Sequence, residues 1–503
     1  MSTPTFVFSF LLVSLCTPFV HSGFECLRVS PSQFLHSART VVGVLQDVNS
    51  TLLSELTNVN NNVHNFRLSD AISACLDLLD LSADQLSWSI SAIENPQGKH
   101  NGTGNLSNDL STWLNAALAN TDTCMDGFED TNWNVKGLIS TRIDHLNSMV
   151  QNLLNQMHPA SSHFTNRGQF PSWVESWDKK LLFTNGVSWD AVVATDGSGN
   201  YSKVMDAVHA ASDYSMRRYV IYVKRGVYVE NVNIGKKKWN IVLMGEGMDV
   251  TVITGNLSYS KNLTTYRTAT FAVNGRGFIA RDISFRNTAG PERGQAVALR
   301  SDSDLSVFYR CGIFGYQDSL YAHGLRQFYR ECKITGTVDF IFGYATAVFQ
   351  SCQILVKKGL TKQKNTITAQ GKRNSTDPSG FSIQFCNISA DDDLLPAVNS
   401  TLTYLGRPWK PYSRTIFMQS YISEVLSSKG WLEWNGSAYL DTLYYAEYNN
   451  YGPGAFLNDR VKWPGYHVIN DSSLVSNFTV TQLILGDLWL PSTGVRFIPG
   501  FGN

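Results

Sequence analysis

Tyr309-Arg310-Cys311-Gly312-Ile313, Arg330-Glu331-Cys332-Lys333-Ile334, Gln350-Ser351-Cys352-Gln353-Ile354 and Gln384-Phe385-Cys386-Asn387-Ile388 each set a cysteine two residues before an isoleucine. Arg281-Asp282-Ile283 starts the same register without the cysteine. The period, roughly 20 to 25 residues, is too short for paired helices, and short Val/Ile/Phe/Tyr runs between Gly, Asn and Asp turns fill it. This is the signature of a strand-built solenoid. Each period is one coil, and equivalent positions stack about 4.8 Å apart, the spacing of neighbouring strands. Gln295 and Gln317 differ by about one period, as do Asp318 and Asp339. Two carboxamides and two carboxylates therefore converge on one patch of the solenoid wall.

With 503 residues, 43% of them hydrophobic, and a net charge of zero, the chain is large enough for more than one core. Zero net charge argues against nucleic acid as a partner, since its binders carry a basic face. Residues 6–20 form an apolar run without lysine or arginine, shorter than the roughly 20 residues of a membrane span. Val20-His21-Ser22 follows with small residues near a cleavage point. Residues 1–22 are read as a secretory signal peptide, the alternative being an uncleaved amino-terminal anchor. Secretion agrees with glycosylation sequons at Asn101, Asn256, Asn387 and Asn477. In an oxidising compartment, Cys311 with Cys332 and Cys352 with Cys386 are geometrically plausible disulfides, because Cα atoms one coil apart lie within bonding range. No CxxC pair or histidine cluster accompanies them, so no metal site is predicted.

Residues 23–158 read as a helical bundle: residues 71–79 and 138–154 place apolar side chains at three- and four-residue spacing. The periodicity lapses over residues 159–183, which end in Asp178-Lys179-Lys180-Leu181-Leu182. That joint is either a proteolytic processing site or an exposed linker with two solvated lysines. Residues 184–503 are dominated by strands and turns. Residues 202–212 are the exception, a helix placed to cap the first coil. Gly245-Glu246-Gly247 and Gly275-Arg276-Gly277 are read as solenoid turns rather than phosphate cradles, because no convincing helix follows either.

Two carboxylates about one strand spacing apart do not both ionise easily, so one is pushed toward a raised pKa and the other toward a lowered one. This separates an acid from a base or nucleophile. Arg407, in Leu405-Gly406-Arg407-Pro408-Trp409, is placed to hold one of them ionised through a bidentate pair. The two glutamines offer amide donors for an oxyanion, as acyl transfer from an ester requires. Tyr321, Phe342 and Trp409 lie near these residues in sequence, and exposed aromatics along a solenoid groove suit sugar rings. The competing assignment for Phe340 and Phe342 is packing of the wall. A serine-hydrolase triad finds no GxSxG elbow. His323 is read as a surface or structural residue, and Asp391-Asp392-Asp393 as a solvated loop.

These residues resemble those of the plant pectin methylesterases (pectinesterases). Gly226-Val227-Tyr228-Val229-Glu230, Gln295-Ala296-Val297-Ala298-Leu299, Gln317-Asp318-Ser319-Leu320, Asp339-Phe340-Ile341-Phe342-Gly343 and Leu405-Gly406-Arg407-Pro408-Trp409 occur in the family's order. The helical region, with Ala74-Cys75-Leu76-Asp77-Leu78-Leu79 and Thr123-Cys124-Met125-Asp126-Gly127-Phe128, resembles the invertase/pectin methylesterase inhibitor domain. The resemblance implies an all-β right-handed parallel β-helix catalytic domain preceded by an all-α helical-bundle pro-region. It implies hydrolysis of methyl esters of homogalacturonan, without metal or cofactor, by a protein secreted to the plant cell wall. Asp339 is then the nucleophile on the C6 methyl-ester carbonyl, with Arg407 holding it ionised. Asp318 is the general acid toward methanol and then the base that activates water. Gln295 and Gln317 stabilise the oxyanion, and Tyr321, Phe342 and Trp409 line sugar subsites. Cys75 with Cys124 is the bundle's disulfide. Expected partners are pectin, a processing protease and a proteinaceous pectin methylesterase inhibitor.

The chain departs from the family pattern at three places. Ser319 replaces the usual threonine of the QDTL motif and keeps the hydroxyl. Lys179-Lys180-Leu181-Leu182 replaces an arginine-based processing site. Cys26 lacks the second cysteine that the inhibitor family places about nine residues away. Two other classes remain open at this stage: a glycosidase or lyase of pectin, and a non-catalytic wall-binding solenoid carrying an inhibitor.

Overall fold

The computed structural model describes residues 24–60, 65–96, 102–131, 133–158 and 188–502. The expected signal peptide, the Lys179-Lys180 joint and the Asn101 sequon lie outside the described residues.

Four helices come first: α1 (Pro31–Asn60), α2 (Phe66–Glu94), α3 (Leu106–Gly127) and α4 (Trp133–Asn155). Asn65 and Asn105 cap α2 and α3, each side chain accepting from a main-chain N–H three residues on. Their apolar faces meet in one core that includes Phe34, Leu78, Leu114 and Ile143. The Cys75–Cys124 disulfide ties α2 to α3.

The remainder winds as a right-handed parallel β-helix whose strands form sheets of eleven, eight and seven strands among the described residues. Its interior is built from like residues stacked coil on coil. Ile313, Ile334, Ile354 and Ile388 are in-register neighbours, and Phe308, Tyr329 and Phe349 stack with ring centroids 4.9 and 4.6 Å apart. The helix α5 (Val204–Ala210) closes the first coil, with Val204, Ala207 and Val208 in the solenoid core.

The cysteine motif marks a corner. Asp282, Arg310, Glu331, Ser351 and Phe385, each immediately before the inward-pointing position, have φ between 50° and 58°. L-residues adopt that left-handed conformation rarely, and here it turns the chain sharply at the same place in successive coils. The cysteines that follow it are free thiols, so the expected Cys311–Cys332 and Cys352–Cys386 disulfides are not formed. In-register parallel strands keep neighbouring Cβ directions parallel rather than convergent, which a disulfide does not tolerate. The thiols turn to main-chain carbonyls instead: Cys332 Sγ donates to Phe308 O at 3.2 Å and Cys386 Sγ to Phe349 O at 3.4 Å.

The seven-stranded sheet runs from Val232–Ile234 to Thr403–Gly406. Its outward face carries an in-register row, Asn233, Ala272, Arg300, Tyr321, Phe342 and Ala369. The bundle lies on this face, and Tyr321, Phe342, Ala272 and Ala369 belong to the same apolar cluster as the bundle's own core. None of the described helices is long and apolar enough to cross a membrane.

Candidate active site

Asp318 and Asp339 each stand two residues before a strand of the seven-stranded sheet, Leu320–Ala322 and Ile341–Gly343, and Leu320 is paired with Ile341. Extending that register by two residues sets the aspartates opposite one another, and the Asp318 N–H donates to Val338 O at 3.0 Å. Both adopt positive φ, 62° and 51°. Such strain is found at functional sites where the surrounding structure over-determines it. Glycine stands in two of the motifs because the coils approach closely: a Cβ on Gly343 would lie 1.9 Å from Ala322 O, and one on Gly406 2.2 Å from Thr368 Oγ1.

Arg407 grips Asp339 from both sides, Nε to Oδ1 at 2.8 Å and Nη2 to Oδ2 at 2.6 Å. Thr366 Oγ1 donates to Oδ1 at 2.6 Å. The guanidinium in turn lies 4.3 Å from the centroid of the Trp434 ring. Burial works against the charge of Arg407, but the Asp339 carboxylate outweighs it and raises the pKa of the guanidinium. Asp318 makes no side-chain hydrogen bond to a described residue and is 8% exposed. Burial, and then the neighbouring Asp339 carboxylate, push its pKa well above the usual carboxylate value against the opposing pull of Arg407. The two aspartates are thus chemically unlike: one carboxylate is clamped by a guanidinium and a hydroxyl, and the other is buried without a side-chain partner among the described residues, with its pKa raised.

Gln295 and Gln317 flank this pair, both half-buried and with side-chain amides unengaged by any described residue. Tyr321 and Phe342 stack with centroids 4.0 Å apart, and Trp409 meets Phe342 edge-on at 6.0 Å. Tyr321 and Phe342 were expected as exposed groove aromatics, yet they are 2% and 5% exposed because the bundle covers them. Phe340 faces the solenoid core. Of the two readings of His323 the structural one holds: it is buried, its Nε2 2.7 Å from Thr123 Oγ1 of α3 and its Nδ1 on Asp302. Asp391-Asp392-Asp393 is the solvated turn expected, with Asp392 and Asp393 exposed, and Asp391 and Asp393 also pair with Lys357 at 2.8 and 3.2 Å. The reading of the sequence passed over Thr366 and Trp434. Thr366 sits in Asn365-Thr366-Ile367-Thr368, one coil beyond Asp339, and aligning that segment with the carboxylate motifs would have found it.

The family model described as pectinesterase matches residues 190–487, and that of the plant invertase/pectin methylesterase inhibitor matches residues 13–155. The chain belongs to the pectinesterase family. A pectinesterase/pectinesterase inhibitor of Prunus persica is 62% identical, over 95% of this chain and 91% of that relative. A probable pectinesterase/pectinesterase inhibitor of Arabidopsis thaliana is 55% identical over 99% and 98%. The solved pectin methylesterase from carrot superposes with a TM-score of 0.62 at 50% identity, covering 63% of this chain and all of that one. The pectin methylesterase from Aspergillus niger gives 0.53 at 32% identity, over 61% and 97%. As a pectinesterase the chain is a carboxylic ester hydrolase.

Proposed function

We propose that this pectinesterase removes methyl groups from homogalacturonan in the plant cell wall, releasing methanol, and that its own helical bundle restrains it. The observation that carries the mechanism is the bidentate Arg407–Asp339 pair beside a buried carboxyl whose pKa burial and Asp339 raise. The charged Asp339 attacks the ester carbonyl, and the tetrahedral oxyanion takes hydrogen bonds from the amides of Gln295 and Gln317. Asp318 gives its proton to the departing methoxide, which leaves as methanol. The resulting Asp318 carboxylate then takes a proton from water as that water opens the acyl-enzyme, restoring both aspartates. Tyr321, Phe342 and Trp409 hold sugar rings once the bundle has moved aside. Glycosidic cleavage fits the geometry less well, since it needs acid and base on opposite sides of a scissile oxygen, whereas these carboxylates lie side by side just before two adjacent strands of one sheet.

Residues 1–22 as signal peptide, 23–158 as bundle, 159–183 as processed linker and 184–503 as catalytic solenoid complete the proposal. The deciding experiment follows methanol and chain length together on methylated pectin. Methanol without chain shortening is expected from the wild type, and Asp339→Asn should lose that activity while retaining its fold. Asp339→Asn activity within about tenfold of wild type would sink the nucleophile assignment.

A further inference from the structure

The bundle touches the groove through a row of ion pairs whose polarity is constant: carboxylate on the bundle, cation on the solenoid. Lys410 holds Asp126 at 2.9 Å and Arg373 holds Asp122 at 2.6 Å near the aspartate pair. At the other end, Lys236 lies 2.9 Å from Asp80 and 2.8 Å from Asp84, and Arg267 lies 2.9 Å from Asp77 and 3.3 Å from Asp70. The four α2 aspartates recur at helical spacing along one face. Beside them a cavity of about 320 Å³ remains open between α2 and the solenoid, lined by Lys236, Arg267, Arg300 and Asn274 on one wall and Asp77 and Asp80 on the other. Its floor is the same in-register row that holds Tyr321 and Phe342: Ala272 and Arg300 belong to that row and line the cavity.

We infer that this amino-terminal end of the groove is a subsite for unesterified galacturonate, and that the α2 aspartates occupy its cations as mimics of galacturonate carboxylates. The inference rests on the pectin reading above and extends it to the part of the polymer that is no longer methylated. Lys236 and Arg267 supply the charge. Arg300 is already neutralised, its Nε 3.0 Å from Asp302 Oδ2 and its guanidinium 3.4 Å from the Tyr266 ring centroid, so it shapes the cavity rather than reading charge. A methyl ester offers these cations no charge, whereas a free carboxylate makes charge-assisted hydrogen bonds. The cavity lets one anionic sugar enter while the bundle is still docked. Once held there, the polymer competes for Lys236 and Arg267 at high local concentration. Polymer that has already lost methyl groups therefore loosens the bundle and promotes further de-esterification.

The test uses the full secreted chain with octagalacturonate and its fully methyl-esterified counterpart, measuring affinity by calorimetry and hydrogen exchange along α2. Octagalacturonate should bind about tenfold more tightly than the ester and speed exchange in α2. Lys236→Gln/Arg267→Gln should lose that discrimination. Asp80→Asn/Asp84→Asn should raise affinity for octagalacturonate several-fold, a gain that damage to the fold would not produce. Equal affinity for the two oligomers, or unchanged α2 exchange on binding, would overturn the inference, as would unchanged affinity in Asp80→Asn/Asp84→Asn. Methanol release from the same samples reports separately on the esterase assignment.

Discussion

Asp318 is buried with nothing to share its charge, and that has a thermodynamic consequence separable from catalysis. Its pKa in the folded chain lies well above the ordinary value, chiefly through burial and then through Asp339. The folded state therefore binds this proton more tightly than the unfolded state, and the stability it lends is complete below pH ~4 and lost as pH rises through the folded pKa. Asp318→Asn removes that dependence. The variant should lose roughly 10² to 10⁴ in turnover, as expected when a proton-transfer group is removed. It should also melt higher than wild type at pH 7, with the difference closing toward pH 4. Thermal melts of both proteins across that range check the sign, and an equal melting temperature at every pH would show that Asp318 is solvated rather than strained.

At the scale of the coil, the corner before each ladder cysteine is a repeated cost that the stack holds in place. Ser351 has φ 57° and donates its N–H to Gln384 O at 3.0 Å in the next coil. Ser351→Val should destabilise the solenoid by about 1 to 2 kcal/mol, the penalty for a β-branched residue in a left-handed corner. Ser351→Gly should be neutral or stabilising, and chemical denaturation distinguishes the two. The same corner explains what could be read from the sequence. The recurrence of Cys-x-Ile reports a coil directly, and from it follow the stacking of Asp318 on Asp339 and the side-by-side placement of Gln295 and Gln317. The disulfide expectation went wrong because distance between Cα atoms was legible and the direction of Cβ was not. Thr366 and Trp434 escaped because the coil that carries Thr366 is longer, 27 residues separating it from Asp339, and because a ring over a guanidinium leaves no periodic trace.

For the whole molecule, the docked bundle is the feature that one domain's pattern could not disclose, since its contacts join residues far apart in sequence, such as Asp130 with Tyr259 and Asp126 with Lys410. Asp122, on α3 between Arg373, Lys410 and Asp126, has its pKa raised to about 6, mainly by burial and despite the attraction of Arg373 and Lys410. If undocking returns it toward the ordinary carboxylate value near 4, docking takes up a proton. The restraint is then strongest below pH ~4 and weakens as pH rises through about 6. The activity of the full chain relative to residues 184–503 should increase over that interval, and Asp122→Asn should flatten the ratio.

The anchor of the docking is Trp113, fully buried against the solenoid. Its indole Nε1 donates to Asp304 Oδ2 at 2.9 Å, and that carboxylate also receives Arg326 Nη2 at 2.6 Å. Arg326 reaches back to Asp109 of α3 at 2.5 Å. A fully desolvated tryptophan in an interface, with its N–H satisfied by the partner, commonly contributes about 2 kcal/mol or more, a factor of about 30 in the docking equilibrium. Trp113 packs with Trp88, Ala116 and Leu325 in a cluster separate from the bundle's main core, so its loss should leave the four helices folded. Trp113→Ala in the full chain is therefore expected to raise methanol release toward that of residues 184–503, with the circular-dichroism signature of the bundle unchanged. Methanol release equal to that of the intact wild type, from a bundle shown by faster exchange in α3 to have come loose, would mean that the bundle does not restrain the enzyme.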